Sequence, residues 1–288
     1  MRLIATADLH YEFTQYQQRV DALAAEVCRV GADALVLAGD TFAQDLSLLE
    51  RCLHLFDAFR GEKLLVAGNH DLWTRTGDSF DLYERLIPQV AAACGFHDLD
   101  TGPKVLGDIA IVGTIGWYDY SFRDDALGIP LRFYAAKVAP GFARNDWRFG
   151  HLLRDTSDIS PLGFRANSRW MDGEMISWQL DDAEFNRLTI ERLEAQLAAV
   201  EGRVRAVVAV THHVPFREML THKADPGWDF GNAFMGSQGL GDTLRRHDKV
   251  RHVLFGHSHH RDSRTLGPLT ATNIGCTYRM KRHDTIEV

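Results

Sequence analysis

Cysteine is scarce: Cys28, Cys52, Cys94 and Cys276 are the four in 288 residues, and none forms a C-x-x-C pair. This argues against a thiolate zinc site and a disulfide-stapled scaffold, and points to buried thiols in a reducing, cytoplasmic setting. Long apolar runs are also missing. The first covers only residues 3–7 before Asp8 interrupts it, which is short for a signal-peptide core and far below the roughly 20 residues of a spanning helix. No membrane association is expected. Positive charge is in deficit, with 32 Lys and Arg against 39 Asp and Glu and a net charge of −7. A generally basic nucleic-acid surface is therefore not indicated, although a local groove would be compatible with this balance. There is no internal repeat or low-complexity tract.

What is present is an alternation of strand and helix signals. Apolar runs at 3–7, 34–38 and 64–67 read as buried strands, separated by helical spacing over 16–29 and 46–59. Such a βαβαβ run implies parallel strands with right-handed crossovers, so its three carboxyl ends lie side by side. A helix is expected over 81–94, then short segments at 96–99 and 105–106 and a strand at 109–115. Residues 182–200 read as a helix, 204–210 and 250–255 as strands, and 240–246 as a short helix. The segments 263–266, 269–274 and 278–288 look like antiparallel strands completing a second sheet. Periodicity fails over 117–180, which holds 12 of the 29 aromatics and equal numbers of acidic and basic residues, punctuated by Gly and Pro. This composition suits an insertion or cap within a single domain spanning 1–288, because a disordered linker would be aromatic-poor.

Five apolar runs end in ligand-type residues: Asp8-Leu9-His10, Gly39-Asp40, Gly68-Asn69-His70-Asp71, Thr211-His212-His213 and Gly256-His257-Ser258-His259. Any one could be turn chemistry, since Gly, Asn and Asp all favour turns. Five at one expected sheet edge are harder to explain that way, and packing has no use for the paired imidazoles of His257 and His259. Carboxylate, imidazole and amide donors without thiolate suit manganese or iron, with zinc or nickel as alternatives. Two such ions about 3.5–4 Å apart can activate a bridging water and stabilise both oxygens of a phosphoryl displacement. Asp40 is the candidate shared ligand. His70, next to Asn69, is the candidate acid for the leaving alkoxide, with Asp71 expected to orient it. His213 and His260 read as spectators.

In this order, the five blocks resemble the signature motifs of the calcineurin-like metallophosphoesterases. The resemblance implies a four-layer α/β/β/α sandwich of two mixed sheets, with a dinuclear metal site at the strand ends. It also implies one metal on Asp8, His10, Asp40 and His259, another on Asp40, Asn69, His212 and His257, and His70 as leaving-group acid. The second block departs from the protein-phosphatase form: Gly39-Asp40 continues Thr41-Phe42-Ala43-Gln44, without the second Asp and the phosphate-binding Arg. Arg123 or Arg132 of the insertion is the expected replacement.

The leading functional reading is a phosphoric ester hydrolase acting on a small phosphodiester or phosphomonoester through a metal-activated hydroxide. A nuclease acting on DNA or RNA is the alternative, disfavoured by the charge balance. A non-catalytic scaffold of the same fold is weaker still, because a scaffold needs no leaving-group acid. Nothing in the sequence argues for a particular oligomeric state.

Overall fold

The computed structural model describes residues 1–288. Its strands are β1 (Arg2–Thr6), β2 (Ala34–Ala38), β3 (Glu62–Val66), β4 (His97–Asp98), β5 (Lys104–Leu106), β6 (Ile109–Thr114), β7 (Ala206–Thr211), β8 (Val250–Phe255), β9 (Asp262–Leu266), β10 (Leu269–Asn273) and β11 (Asp284–Glu287). They form two mixed sheets, ordered β11-β1-β2-β3-β4 and β5-β6-β7-β8-β10-β9. Strands β1 to β4 run parallel, with Ile4 opposite Leu35 and Val36 opposite Leu64. In the second sheet β6, β7, β8 and β10 are parallel, with Ile111 opposite Val208.

The central strands are apolar throughout because both of their faces are covered. Alternation then sorts the residues. Leu3, Ala5, Val36, Leu64, Ile109, Ile111, Val208 and Val210 meet between the sheets. Ile4, Leu35 and Leu37 face outward onto the helices Gln17–Val30 and Leu46–His54, through Val20, Val27 and Leu49. Val207, Ala209 and Val112 face the helix Asp182–Glu201 through Leu193 and Leu197. That helix begins with a capping box between Asp181 and Glu184, which satisfies two of the amide groups its first turn would otherwise leave unpaired. The result is the α/β/β/α sandwich.

Two expectations change. The last segment does not complete the second sheet: β11 joins the first, antiparallel to β1, with Leu3 opposite Ile286. Of the strands before it, β9 and β10 form an antiparallel hairpin, but β10 lies parallel to β8. The helix expected over 81–94 contains a π-helical turn at Leu82–Leu86 before regular helix resumes at Ile87–Ala93. Residues 117–180 contain short helical turns and an antiparallel bridge between Val138 and Arg169, and Trp117, Tyr118, Phe133 and Tyr134 are buried in the same apolar cluster as Val20 and Leu49. No helix is long and apolar enough to cross a membrane.

Candidate metal centre and active site

Parallel strands bring their carboxyl ends to one edge, and the ligand-type residues follow those ends directly. Nine non-glycine residues have positive φ, and five of them are Asp8 (53°), His10 (46°), Asp40 (53°), His257 (70°) and His259 (55°). Left-handed backbone is unfavourable for side-chain-bearing residues and concentrates at functional sites. Here it turns the chain sharply off the sheet, so that consecutive donors face inward. Close approach needs glycine. A Cβ on Gly39, which itself has a φ of +85°, would lie 2.3 Å from His212 Nδ1, and one on Gly68 would lie 2.2 Å from Asp40 Oδ1.

All seven expected ligands come together. Asp8, His10, Asp40 and His259 form one group and Asp40, His212 and His257 another, each with its donor atoms within 4.8 Å of one another. Asp40 belongs to both. Asn69 Oδ1 lies 3.2 Å from His212 Nε2. His10 Nε2 is 3.2 Å from His259 Nε2 and 3.6 Å from Asp40 Oδ2, while His212 Nε2 is 3.1 Å from His257 Nδ1 and 3.3 Å from Asp40 Oδ1.

The donor set fits metal ions. Bonds of about 2.1 Å place neighbouring ligands roughly 3.0–3.4 Å apart in octahedral or tetrahedral coordination, close to the separations above. Asp8 Oδ2 is buried without a hydrogen-bond partner, which an anionic oxygen avoids unless a cation faces it. Outer partners also aim the rings. His212 Nδ1 is 2.9 Å from the Ala38 carbonyl oxygen, His257 Nε2 is 3.2 Å from that of Phe234, and His10 Nδ1 is 3.2 Å from Glu12 Oε1. In each case the other ring nitrogen is turned toward the centre. Burial pushes the Asp40 carboxyl up, but His212, His70 and His10 outweigh it and hold the group well below the usual carboxylate range.

His70 stands beside this centre with its ring stacked on Trp73 at 3.5 Å and 25°. Burial disfavours its charged form, yet Asp40 and Glu12 prevail and raise its pKa. The carboxylate expected to orient it does something else. Asp71 Oδ1 accepts backbone N–H bonds from Thr41 and Phe42, both 2.8 Å, and Oδ2 accepts one from Gly68 at 2.6 Å. It therefore fastens the Asp40 loop to the Asn69 loop. Burial and Asp40 push this carboxyl up to about 7, with the backbone N–H groups opposing the rise. The carboxylate beside His70 is Glu12, whose Oε1 lies 3.6 Å from His70 Nδ1.

A cavity of about 460 Å³ opens over Asp40, Asn69, His70, His257 and His259. Residues 167–170 and loop residues including Trp228 and Asn232 line it, with Tyr278 also on its wall. Arg169 is its single arginine. The two arginines expected from sequence are engaged elsewhere: Arg132 pairs with Asp158 at 2.6 Å and Arg123 with Asp125 at 2.9 Å, and neither lines the cavity. Arg169 is itself ion-paired with Glu174. His213 is buried, with Nδ1 3.2 Å from the Ile115 carbonyl oxygen, and His260 is exposed.

Glu12, Trp73, Arg169 and Tyr278 stand at the candidate site without having been expected from sequence. A signal existed for Glu12, two residues beyond His10; the others follow no motif.

The sequence profile of the calcineurin-like phosphoesterases matches residues 1–261. No curated protein matches the chain in sequence. Among solved structures, the phosphopantetheinyl hydrolase of Mycobacterium tuberculosis superposes with a TM-score of 0.69 at 18% identity, covering 96% of this chain and 89% of that one. A dimetal phosphatase from Danio rerio gives 0.56 at 16% identity, covering 99% and 91%. At these identities the likeness concerns the fold, while the profile match spans nearly the whole chain. The protein thus belongs to the calcineurin-like phosphoesterases, hydrolases whose chemistry is metal-dependent cleavage of phosphoesters.

Proposed function

We propose that the protein hydrolyses a small phosphodiester in preference to a phosphomonoester, at a dinuclear centre held by Asp8, His10, Asp40, Asn69, His212, His257 and His259. The charge of the cavity carries this reading: its one arginine is already paired with Glu174, and Asp225 also lines the wall. A singly charged diester needs less compensation than a doubly charged monoester. When bound, the metals would supply Lewis-acid activation of water and of the phosphoryl group. The chain's own residues do the rest. Asp40 is shared between the two ligand groups, Arg169 offers N–H donors to a phosphoryl oxygen, and His70 donates its proton to the departing alkoxide. Glu12 retains the charged form of His70 from the opposite side of the ring. Asp71 keeps the Asp40 and Asn69 loops in register.

The cavity's size suits a small molecule better than a polymer, and the net charge of −7 disfavours nucleic acid as substrate. The test is hydrolysis of bis-p-nitrophenyl phosphate against p-nitrophenyl phosphate, on protein stripped of metal and reloaded separately with manganese, iron, nickel and zinc. Metal-restored preference for the diester is expected, and preference for the monoester would reverse the assignment. Inactivity of a fully metal-loaded protein on every ester would favour a scaffold. Phosphopantetheinyl esters, the group in the name of the M. tuberculosis neighbour, belong in the substrate panel.

A further inference from the structure

Asp172 lies in the insertion, 103 residues beyond Asn69, and is buried at 1% exposure. Its carboxylate is ringed by four neutral donors. Oδ1 accepts from Asn69 Nδ2 at 2.9 Å and Trp73 Nε1 at 2.7 Å; Oδ2 accepts from Tyr118 OH at 2.9 Å and Trp170 Nε1 at 2.7 Å. We propose that Asp172 is a positioning residue that couples the insertion to the metal centre and to the acid, through Asn69 and Trp73 respectively.

The argument is geometric and rests on the roles proposed above for Asn69 and His70. An asparagine amide can present either its oxygen or its nitrogen to a metal, and only the oxygen can coordinate. With Nδ2 donating to Asp172, Oδ1 is turned toward His212 Nε2, 3.2 Å away. Trp73 is held by the same carboxylate oxygen and forms the flat support against which His70 stacks. On the other oxygen, Trp170 lines the cavity with its ring centroid 5.7 Å from that of His257. One buried carboxylate therefore sets the coordinating atom of Asn69, the plane of His70 and a wall of the cavity. The insertion is a working part of the centre as well as its cover.

The test uses the full-length protein and compares four variants with wild type. Asp172→Ala should bind manganese 10- to 100-fold more weakly in chelator competition, the loss typical of outer-shell partners. Asp172→Asn, which can keep its oxygen on Asn69 and Trp73 and turn its amide toward the Tyr118 hydroxyl, sets that amide against the Trp170 N–H and should recover part of that affinity. Trp73→Phe keeps a ring under His70 but loses the bond to Asp172. It should lower kcat roughly tenfold on an alkyl phosphodiester at saturating metal, with KM and manganese affinity near wild type. Tyr118→Phe removes a donor from the other oxygen, so it should lower Tm while leaving metal affinity and kcat in place. Wild-type manganese affinity in folded Asp172→Ala would overturn the proposal. Equal losses of kcat in Trp73→Phe and Tyr118→Phe would also overturn it, since purely structural support would move both alike. If wild type cleaved no ester at all, the proposed function would fail, while the manganese measurement would still decide the part played by Asp172.

Discussion

Replacing Glu12 with glutamine separates charge from shape at the acid. Glu12 Oε1 lies 3.6 Å from His70 Nδ1 and 3.2 Å from His10 Nδ1, with its side chain 14% exposed. At an effective dielectric constant near 20, a full charge pair at the longer distance is worth about 5 kcal/mol. Glutamine keeps the reach and one carbonyl acceptor, so only part of this is lost. We expect about 1.4–2.8 kcal/mol, a 10- to 100-fold fall in kcat. Because Glu12 also steadies His10, metal affinity should fall too, and the assay must be run at saturating metal. Two diesters should then be compared, one with an alkyl leaving group and one with p-nitrophenyl groups. The alkyl diester needs a proton on its leaving oxygen and should show the full loss, whereas nitrophenolate departs with little help and should be nearly unaffected. Equal losses on both substrates would mean that Glu12 acts through the metals or the fold alone, and the reasoning about His70 would be wrong.

Other substitutions probe the remaining parts. Asp40→Asn should leave the purified protein with little bound metal by elemental analysis and abolish turnover, since Asp40 belongs to both ligand groups. Arg169→Ala should raise KM roughly tenfold with a smaller change in kcat, if the guanidinium binds ground state and transition state alike. Asp98→Asn tests a buried pair away from the metals. Burial and Asp100 push Asp98 well above the usual carboxylate range, and burial raises Asp100 to about 6 despite bonds from Tyr83 and Thr114. A carboxyl raised on folding contributes stability below its unfolded pKa of about 3.9 that is lost as pH rises through the folded value. Metal-stripped Asp98→Asn should therefore match wild type near pH 4 and be the more stable of the two at pH 8, the gap opening as pH rises. A Tm difference independent of pH would refute this.

The central strands β1, β2, β6 and β7 could be read in the sequence because burial on two faces makes each a short apolar run. The seven donors could be read for a related reason: each follows such a run by a few residues, and parallel topology brings the ends together. Two kinds of feature escaped. Sheet membership of β11 depends on which open edge its chain can reach, and its own alternating residues fit either sheet. The partners that orient the donors also escaped, because their roles depend on distance in space. Asp172 sits in a stretch without periodicity, and nothing near it in sequence announces a bond to Asn69. Asp71 shows the opposite error. Its place beside His70 suggested a partner, whereas the turn at Asn69 carries its carboxylate back to the amides of Thr41, Phe42 and Gly68.

Left-handed backbone at Asp8, His10, Asp40, His257 and His259 has a bearing on how this protein could be engineered. Each such residue costs on the order of 1–3 kcal/mol relative to a relaxed conformation, and glycine would relieve most of that. A laboratory selection for heat resistance alone, carried out with chelator present, should therefore enrich glycine at His10, His257 and His259, whereas the Asp8 and Asp40 carboxylates also accept the His257 and His70 backbone amides. The survivors would be hardier proteins unable to hold a metal. Selection for robustness in this fold has to be coupled to turnover, because the easiest gains in durability lie at the residues on which turnover depends.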